Sequence, residues 1–175
     1  RVAMQEGALG VGASLIYAPA FYAKTNELVA LSQTASEYGG GYMAHMRSEA
    51  YRLNESLDEL IFIARETQSH AEVYHLKAAG QDNWQKMVTA IAQINKARAE
   101  GLSVSANMYT YTAGATGFDA AMPPWVQEGG LDAWVSRLKD PKIRAQVIQE
   151  IRTPSNDWEN LYLMAGAQGS KLVGF

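Results

Sequence analysis

The sequence predicts an α/β fold built on a parallel sheet, and three observations lead there. Short apolar runs of strand length alternate with stretches of helical periodicity. The runs end near Tyr17, His45, His75 and Tyr109, at intervals of 28, 30 and 34 residues, the spacing of successive β-loop-α units. Those ends also collect imidazole, ammonium, guanidinium and phenol groups. In a parallel sheet or a piece of a (β/α)8 barrel, such ends share the face that carries the chemistry.

Taken in order, Ala8 to Ile16 is a small, apolar run of strand length that closes on Tyr17 and Pro19. Thr25 is placed to cap a helix over Asn26 to Tyr38, with Leu28, Val29, Leu31, Ala35 and Tyr38 at helical spacing. Gly39-Gly40-Gly41 ends it, and Tyr42 to Met46 forms the second strand. Asn54 or Ser56 starts the next helix, whose buried face is Leu57, Leu60, Ile61, Ile63 and Ala64. Ala71 to Leu76 is the third strand. Asn83 caps a helix reaching Glu100, with Met87, Ile91, Ile94 and Ala97 inward and Gly101 as its stop. Leu102 to Met108 is the fourth strand, followed by a Gly- and Thr-rich loop from Tyr109 to Gly117.

The texture changes after Met122, which divides the chain into β/α units over 1–122 and a helical insertion over 123–175. Pro123-Pro124-Trp125 is a sharp break. Leu131 to Leu138 and Lys142 to Ile151 read as short amphipathic helices, with Pro141 near the first helical position of the second. Leu161 to Ala165 reads as a short strand, and Gly166 to Phe175 carries no pattern.

Composition narrows the function. The chain has 175 residues, 47% apolar and 19% charged, the profile of one globular domain. Its net charge of −3 comes with scattered Lys and Arg, which argues against a nucleic-acid partner. No apolar run approaches the roughly 20 residues of a membrane-spanning helix. Zero cysteines exclude disulfides and any thiolate ligand from these residues. The compartment stays open on that ground, and a cytoplasmic location is the expectation. The chain begins at Arg1 and not at Met, with no signal-like segment before Val2, so it is either processed or a piece of something longer, and the second is the expectation.

His45 and His75 are the candidate metal ligands. A lone histidine is more often structural, but two on successive strand ends are what a βα barrel uses to hold zinc. His70, at the opposite end of its unit, reads as structural. Arg47 and Lys77 follow the two histidines by two residues each, and Tyr109 and Tyr17 sit at neighbouring strand ends. Either these cations are solvated or they hold the carboxylate of an anionic substrate. No phosphate-binding Gly loop and no Ser-His-Asp arrangement is readable.

With these residues in view, the chain resembles the middle of the N-acyl-D-amino-acid deacylase (D-aminoacylase) family of the metal-dependent amidohydrolases. The segments that carry the resemblance are Glu6 to Gly10, Leu15 to Tyr17, Tyr38 to Gly40, Ala44 to Glu49, His75 to Gly80, Tyr109 to Gly114 and Pro123 to Trp125. It runs from about Glu6 to Asn160, and its histidine and Tyr-x-Tyr-Thr-Ala-Gly motifs are specific.

The resemblance implies strands four to seven of a (β/α)8 TIM barrel, with His45 and His75 ligating zinc from the fifth and sixth. It implies that Tyr17, Lys77 and Tyr109 contact an N-acyl-D-amino acid, and that the reaction is amide hydrolysis by a metal-activated water. This chain has Ala115 where the family has Ser, which removes a hydroxyl that helps bind the substrate carboxylate. The family's first-strand His-x-His, its ligand Cys and its catalytic Asp have no counterpart in these residues. With only two imidazole ligands, the chain by itself is expected to be inert and to bind zinc weakly. The remainder of the barrel or a second copy is then needed to cover its sheet edges. The alternative reading is a non-catalytic half-barrel that serves as a binding or oligomerisation module.

Overall fold

A computed structural model describes residues 1–171 and 173. Four short strands form one parallel sheet in the order β1-β2-β3-β4: β1 Gly10–Ser14, β2 Gly41–His45, β3 Ala71–Val73 and β4 Val104–Ala106. The helix α1 Val2–Gln5 precedes β1, and α2 Thr25–Ser36, α3 Leu53–Thr67 and α4 Lys86–Ala99 make the crossovers. Three helices follow: α5 Leu131–Lys139, α6 Pro141–Ile151 and α7 Leu161–Gly169. This is the α/β, parallel-sheet architecture that the alternation of patterns predicts.

The register explains which face carries the core. Tyr42, Ala71 and Val104 pair side by side and are all buried. They meet Leu28 of α2, the Leu57, Leu60, Ile61, Ile63 and Ala64 face of α3, and Ala90, Ile94 and Ala97 of α4. The next row, Gly12, Met43, Glu72 and Ser105, points to the opposite face because side chains alternate along a strand. Met43 is 43% exposed there. A parallel sheet is normally covered on both faces, so this second face is the one a complete barrel would enclose.

Two glycines set the entry to β2 and its contact with β1. Gly39 adopts φ +76, and the Gly40 N–H donates to the Ala35 carbonyl at 3.0 Å, so the triple glycine turns the end of α2 into the sheet. Gly10 sits at φ +154, and a side chain there would fall onto the Gly41 backbone. Gly10→Ala is therefore expected to destabilise the fold by at least about 1 kcal/mol. Urea unfolding checks this, and an unchanged midpoint would show that β1 can shift away from β2 at no cost.

Several local expectations are corrected. Thr25 does not cap α2; its hydroxyl donates across to Glu59 of α3 at 2.7 Å. No side chain caps α3, and the Ser56 hydroxyl instead accepts from the Ser48 N–H at 2.9 Å. Asn83 lies in a separate 3-10 turn and bonds the Ala79 carbonyl, while Ile91 is 49% exposed and Ala90 takes the inward position. Leu161 to Ala165 is helical, started by Asn160, whose side chain accepts from the Leu163 N–H. For Thr25 the reason is tertiary: its hydroxyl has a carboxylate partner on α3, which a local cap would forgo. Pro141 does open α6, and Asp140 caps it by accepting from the Lys142 N–H at 2.8 Å.

Candidate metal centre

His45 is the last residue of β2 and pairs with Ser14. It lies two residues beyond Met43 and so on the open face of the sheet. His75 reaches the same place by a different route. The third strand was expected to run to Leu76, which would have put His75 on the helix-covered side with Val73. The strand ends at Val73 instead, and His75 turns at φ +45, a left-handed conformation that histidine enters more readily than most side chains. Asn107, just past β4, holds the turn: its side-chain oxygen accepts from the His75 N–H at 2.7 Å and its carbonyl from the Leu76 N–H at 2.8 Å. The two imidazoles meet edge to face with ring centres 4.4 Å apart.

Glu49, from the loop after β2, lies against both rings. Its carboxylate is 2.9 Å from His75 Nδ1 and 3.6 Å from His45 Nε2. Lys77 completes the cluster, with Nζ 2.7 and 2.8 Å from the two Glu49 oxygens and 2.8 Å from His75 Nδ1. The loop that carries Glu49 is itself held by Glu159, whose carboxylate accepts from the Glu49 N–H at 2.7 Å, the Ala50 N–H at 2.5 Å and the Ser48 hydroxyl at 2.9 Å. The segment after Met122 thus reaches back to the strand ends of the β/α units.

Burial pushes His45 down to about 3, with the His75 and Lys77 charges acting in the same direction. His75 is lowered by burial and then by Lys77. Both rings are therefore neutral near pH 7, the form that ligates metals. His45 Nε2 is buried and has no hydrogen-bond partner among the described residues. A buried polar atom without a partner is costly in itself, and a metal ion bound there would satisfy it. Burial pushes Glu49 up to about 7, although Lys77 pulls the other way. Glu159 is raised by burial against the hydrogen bonds from Ser48, Glu49 and Ala50.

These shifts fix a pH dependence. Between about 6.5 and 3 the unfolded chain binds a proton at position 45 that the folded chain refuses, so this contribution to stability is lost as pH falls through that window. Glu49 acts oppositely between about 4.5 and 7, where the folded chain holds the extra proton. The two offset each other until about pH 4.5, below which His45 is left alone. Metal-free protein is expected to lose stability steeply below that pH, and His45→Phe is expected to flatten the acid limb. Equal acid slopes in urea titrations of the two proteins would contradict this.

The remaining sequence candidates divide. The Tyr17 ring packs edge-on to His45 at 5.3 Å, and its hydroxyl bonds the Thr116 hydroxyl at 2.7 Å. Tyr109 faces His75 with ring centres 6.2 Å apart and lies 5.4 Å from the Lys77 ammonium. Arg47 departs from expectation. Its guanidinium donates to both Glu59 oxygens, at 3.0 and 2.9 Å, and to the carbonyls of Phe21 and Ala23. Arg47 serves the scaffold, joining β2, α3 and the loop before α2. His70, at the start of β3, bonds Ser103 and Ser105 as a structural histidine does. Glu49, Glu159 and Asn107 went unread in the sequence. Only Glu49 carried a signal, four residues beyond His45 in a segment of the family motif. A cavity of about 210 Å³ lies to the side, lined by Arg47, Tyr51, Arg52 and Asp157 in place of the histidine pair.

No protein-family model matches this chain. Curated relatives do. An N-acyl-D-glutamate deacylase of Alcaligenes xylosoxydans xylosoxydans is 31% identical over 114 residues, 65% of this chain and 23% of the relative. A D-aminoacylase of the same organism is 34% identical over the same shares. Among solved structures, N-acyl-D-glutamate deacylase from Bordetella bronchiseptica, complexed with zinc and a phosphonate mimic of the tetrahedral intermediate, superposes with a TM-score of 0.61 at 31% identity. It covers 63% of this chain and 23% of its own. The chain thus spans about a quarter of the length of the proteins it matches. Over about 65% of its own length the chain is similar to N-acyl-D-glutamate deacylase and D-aminoacylase, and its parallel sheet with helices matches a segment of the D-aminoacylase amidohydrolase fold.

Proposed function

We propose that these residues supply part of the catalytic barrel of a zinc-dependent hydrolase that cleaves the amide bond of N-acyl-D-amino acids. The observation that supports this best is the meeting of His45 and His75 at adjacent strand ends, one of them with an orphaned buried nitrogen, in a homologue of deacylases. Zinc held by these imidazoles supplies a Lewis acid and a water of lowered pKa. The chain's own groups do the rest of the binding. Lys77 offers its ammonium to the substrate carboxylate, and the Tyr109 ring beside it limits how that carboxylate is approached. Tyr17, held by Thr116, presents its ring edge to His45 and fixes the imidazole plane. Residues 1–122 carry the β/α units of this barrel and 123–175 the inserted helices; the remaining strands, from flanking chain or a second copy, pair with the edge strands β1 and β4 and enclose the open face that carries Met43 and Glu72. In the same reading, the 175 residues alone lack a general base and turn over no substrate.

The test is zinc content and hydrolysis of N-acetyl-D-amino acids by protein that carries the flanking sequence on both sides. Zinc-bound protein that leaves every N-acyl-D-amino acid intact sinks the reading and favours a non-catalytic half-barrel. In an active enzyme, Lys77→Ala is expected to lower kcat/KM by the worth of one charged hydrogen bond, about 2–3 kcal/mol. An unchanged kcat/KM would make Lys77 a purely structural cation.

A further inference from the structure

Asn107 holds the His75 turn by its backbone and by its side chain. Its main chain accepts from the Leu76 N–H at 2.8 Å and donates to the Val73 carbonyl at 3.1 Å. Its carboxamide has one accepting and one donating end of nearly the same shape. The His75 N–H needs the accepting end, which it meets at 2.7 Å. The donating end meets Glu72, whose carboxylate accepts from Asn107 Nδ2. Glu72 pairs with Ser105 in the register of β3 and β4, and Asn107 lies two residues further along the same open face. With the carboxamide turned over, its NH2 would confront the His75 N–H and its oxygen the carboxylate, two repulsive contacts in place of two bonds. Glu72 is itself held as an acceptor. The Ser105 hydroxyl donates to it at 3.1 Å. That hydroxyl has one hydrogen, so His70 Nε2, 3.1 Å away, is the donor to Ser105. The bond from Asn107, ahead of those from Ser105 and His70, keeps the Glu72 carboxyl below its usual range. Every hydrogen bond in this chain of groups therefore runs inward to Glu72.

We propose that Glu72 is a positioning residue for His75: by fixing which end of the Asn107 carboxamide faces the His75 N–H, it sets the turn that lays the imidazole over His45. Glu72 makes no bond to either imidazole of the pair among the described residues, so its effect arrives through one backbone N–H. His75 at φ +45 occupies a region that a side chain enters only where its surroundings hold it. Without an acceptor for its N–H, the peptide relaxes towards extended backbone. An extended His75 would follow Val73 onto the helix-covered side, away from His45. The consequence for metal binding rests on the deacylase reading above, whereas the hydrogen bonds themselves are present without it.

The experiment compares three variants of unchanged side-chain size, in protein that carries the flanking sequence on both sides: Glu72→Gln, Asn107→Asp, and the two together. Hydrogen exchange of segment 74–77 is followed by mass spectrometry on chelator-stripped protein, while zinc affinity and cobalt(II) absorption report ligand geometry. Asn107→Asp sets a second carboxylate against Glu72. It is expected to speed exchange and weaken zinc binding about tenfold each, the lower end for an outer partner of a metal ligand. Glu72→Gln frees the carboxamide to turn over and is expected to change both in the same direction by less. The double variant exchanges amide and carboxylate, so the new amide donates to the new carboxylate and the His75 N–H keeps its acceptor. It is expected to restore the cobalt spectrum and return exchange and affinity to within about twofold of the wild type. If positions 72 and 107 only fill space, all three variants match the wild type, and that result overturns the proposal. A double variant no better than Asn107→Asp overturns it as well. Should Asn107→Asp fail to fold, Glu72→Gln with wild-type exchange overturns it, and faster exchange cured in the double variant supports it. Failure of the deacylase reading looks different: exchange in stripped protein responds as expected, and the complete protein cleaves no N-acyl-D-amino acid.

Discussion

Alanine at His45 is expected to remove zinc from the protein and, in the complete enzyme, to abolish measurable hydrolysis of N-acyl-D-amino acids. His45 is held by the end of β2 against Ser14, its ring is fixed by Tyr17 and His75, and its Nε2 has no hydrogen-bond partner among the described residues. His75 already occupies its own place in the cluster, and the remaining histidine, His70, is held by Ser103 and Ser105. Even the outer partners of a metal site typically cost 10- to 100-fold in affinity when removed, so loss of a ligand is expected to cost roughly 100-fold or more. Zinc content of the purified variant by mass spectrometry checks the first half and turnover the second. A variant that retains one zinc at wild-type affinity would place the metal elsewhere. The substitution also removes the group that resists protonation, so the variant is expected to fold at least as well as the wild type below pH 4.5. That separates loss of function from loss of fold.

Arg47→Met is expected to do the reverse, unfolding the scaffold while leaving the metal donors chemically intact. The Arg47 and Glu59 side chains are 23% and 13% exposed. The guanidinium binds the carboxylate with two parallel N–H bonds and also holds the Phe21 and Ala23 carbonyls. Removing one partner of a shielded pair strands the other charge, which costs about 3–5 kcal/mol for a fully buried pair. Residual exposure here puts the expected loss near the lower end, about 3 kcal/mol. The carboxylate would retain only the Thr25 hydroxyl. Urea unfolding at pH 7 measures the effect, and a loss below about 1 kcal/mol would class the pair with ordinary surface ion pairs. Arg47→Met with Glu59→Leu is expected to recover much of the stability, because the stranded charge goes as well.

The contrast between Arg47 and Lys77 shows where local sequence stops being informative. Each cation follows a histidine by two residues, yet one is built into the scaffold and the other faces the cluster. The difference lies in what the rest of the chain brings opposite. Glu59 projects from α3 towards the end of β2, while Glu49 is turned inward by a loop whose N–H groups are held by Glu159, 110 residues away. Pairings at such separation leave no periodicity to read.

The alternation of four strands with helices, the apolar face of α3 and the choice of His45 and His75 as a pair were legible in the sequence. These follow from local pattern: a period near 3.6 or 2, a glycine run after a helix, and a motif shared with a known family. That β3 stops at Val73, and that a left-handed turn held by Asn107 swings His75 over His45, came from contacts between segments far apart in the chain. Tertiary contacts also placed Glu49 against both imidazoles and paired Arg47 with Glu59. Strand periodicity continued past Val73 would have carried His75 to the wrong face, because alternation holds only while the ladder hydrogen bonds last. The cluster exists because the end of β2 and the loops after β2 and β3 meet at one end of a parallel sheet, with Asn107 past β4 holding the turn, and that meeting is a property of the assembled fold.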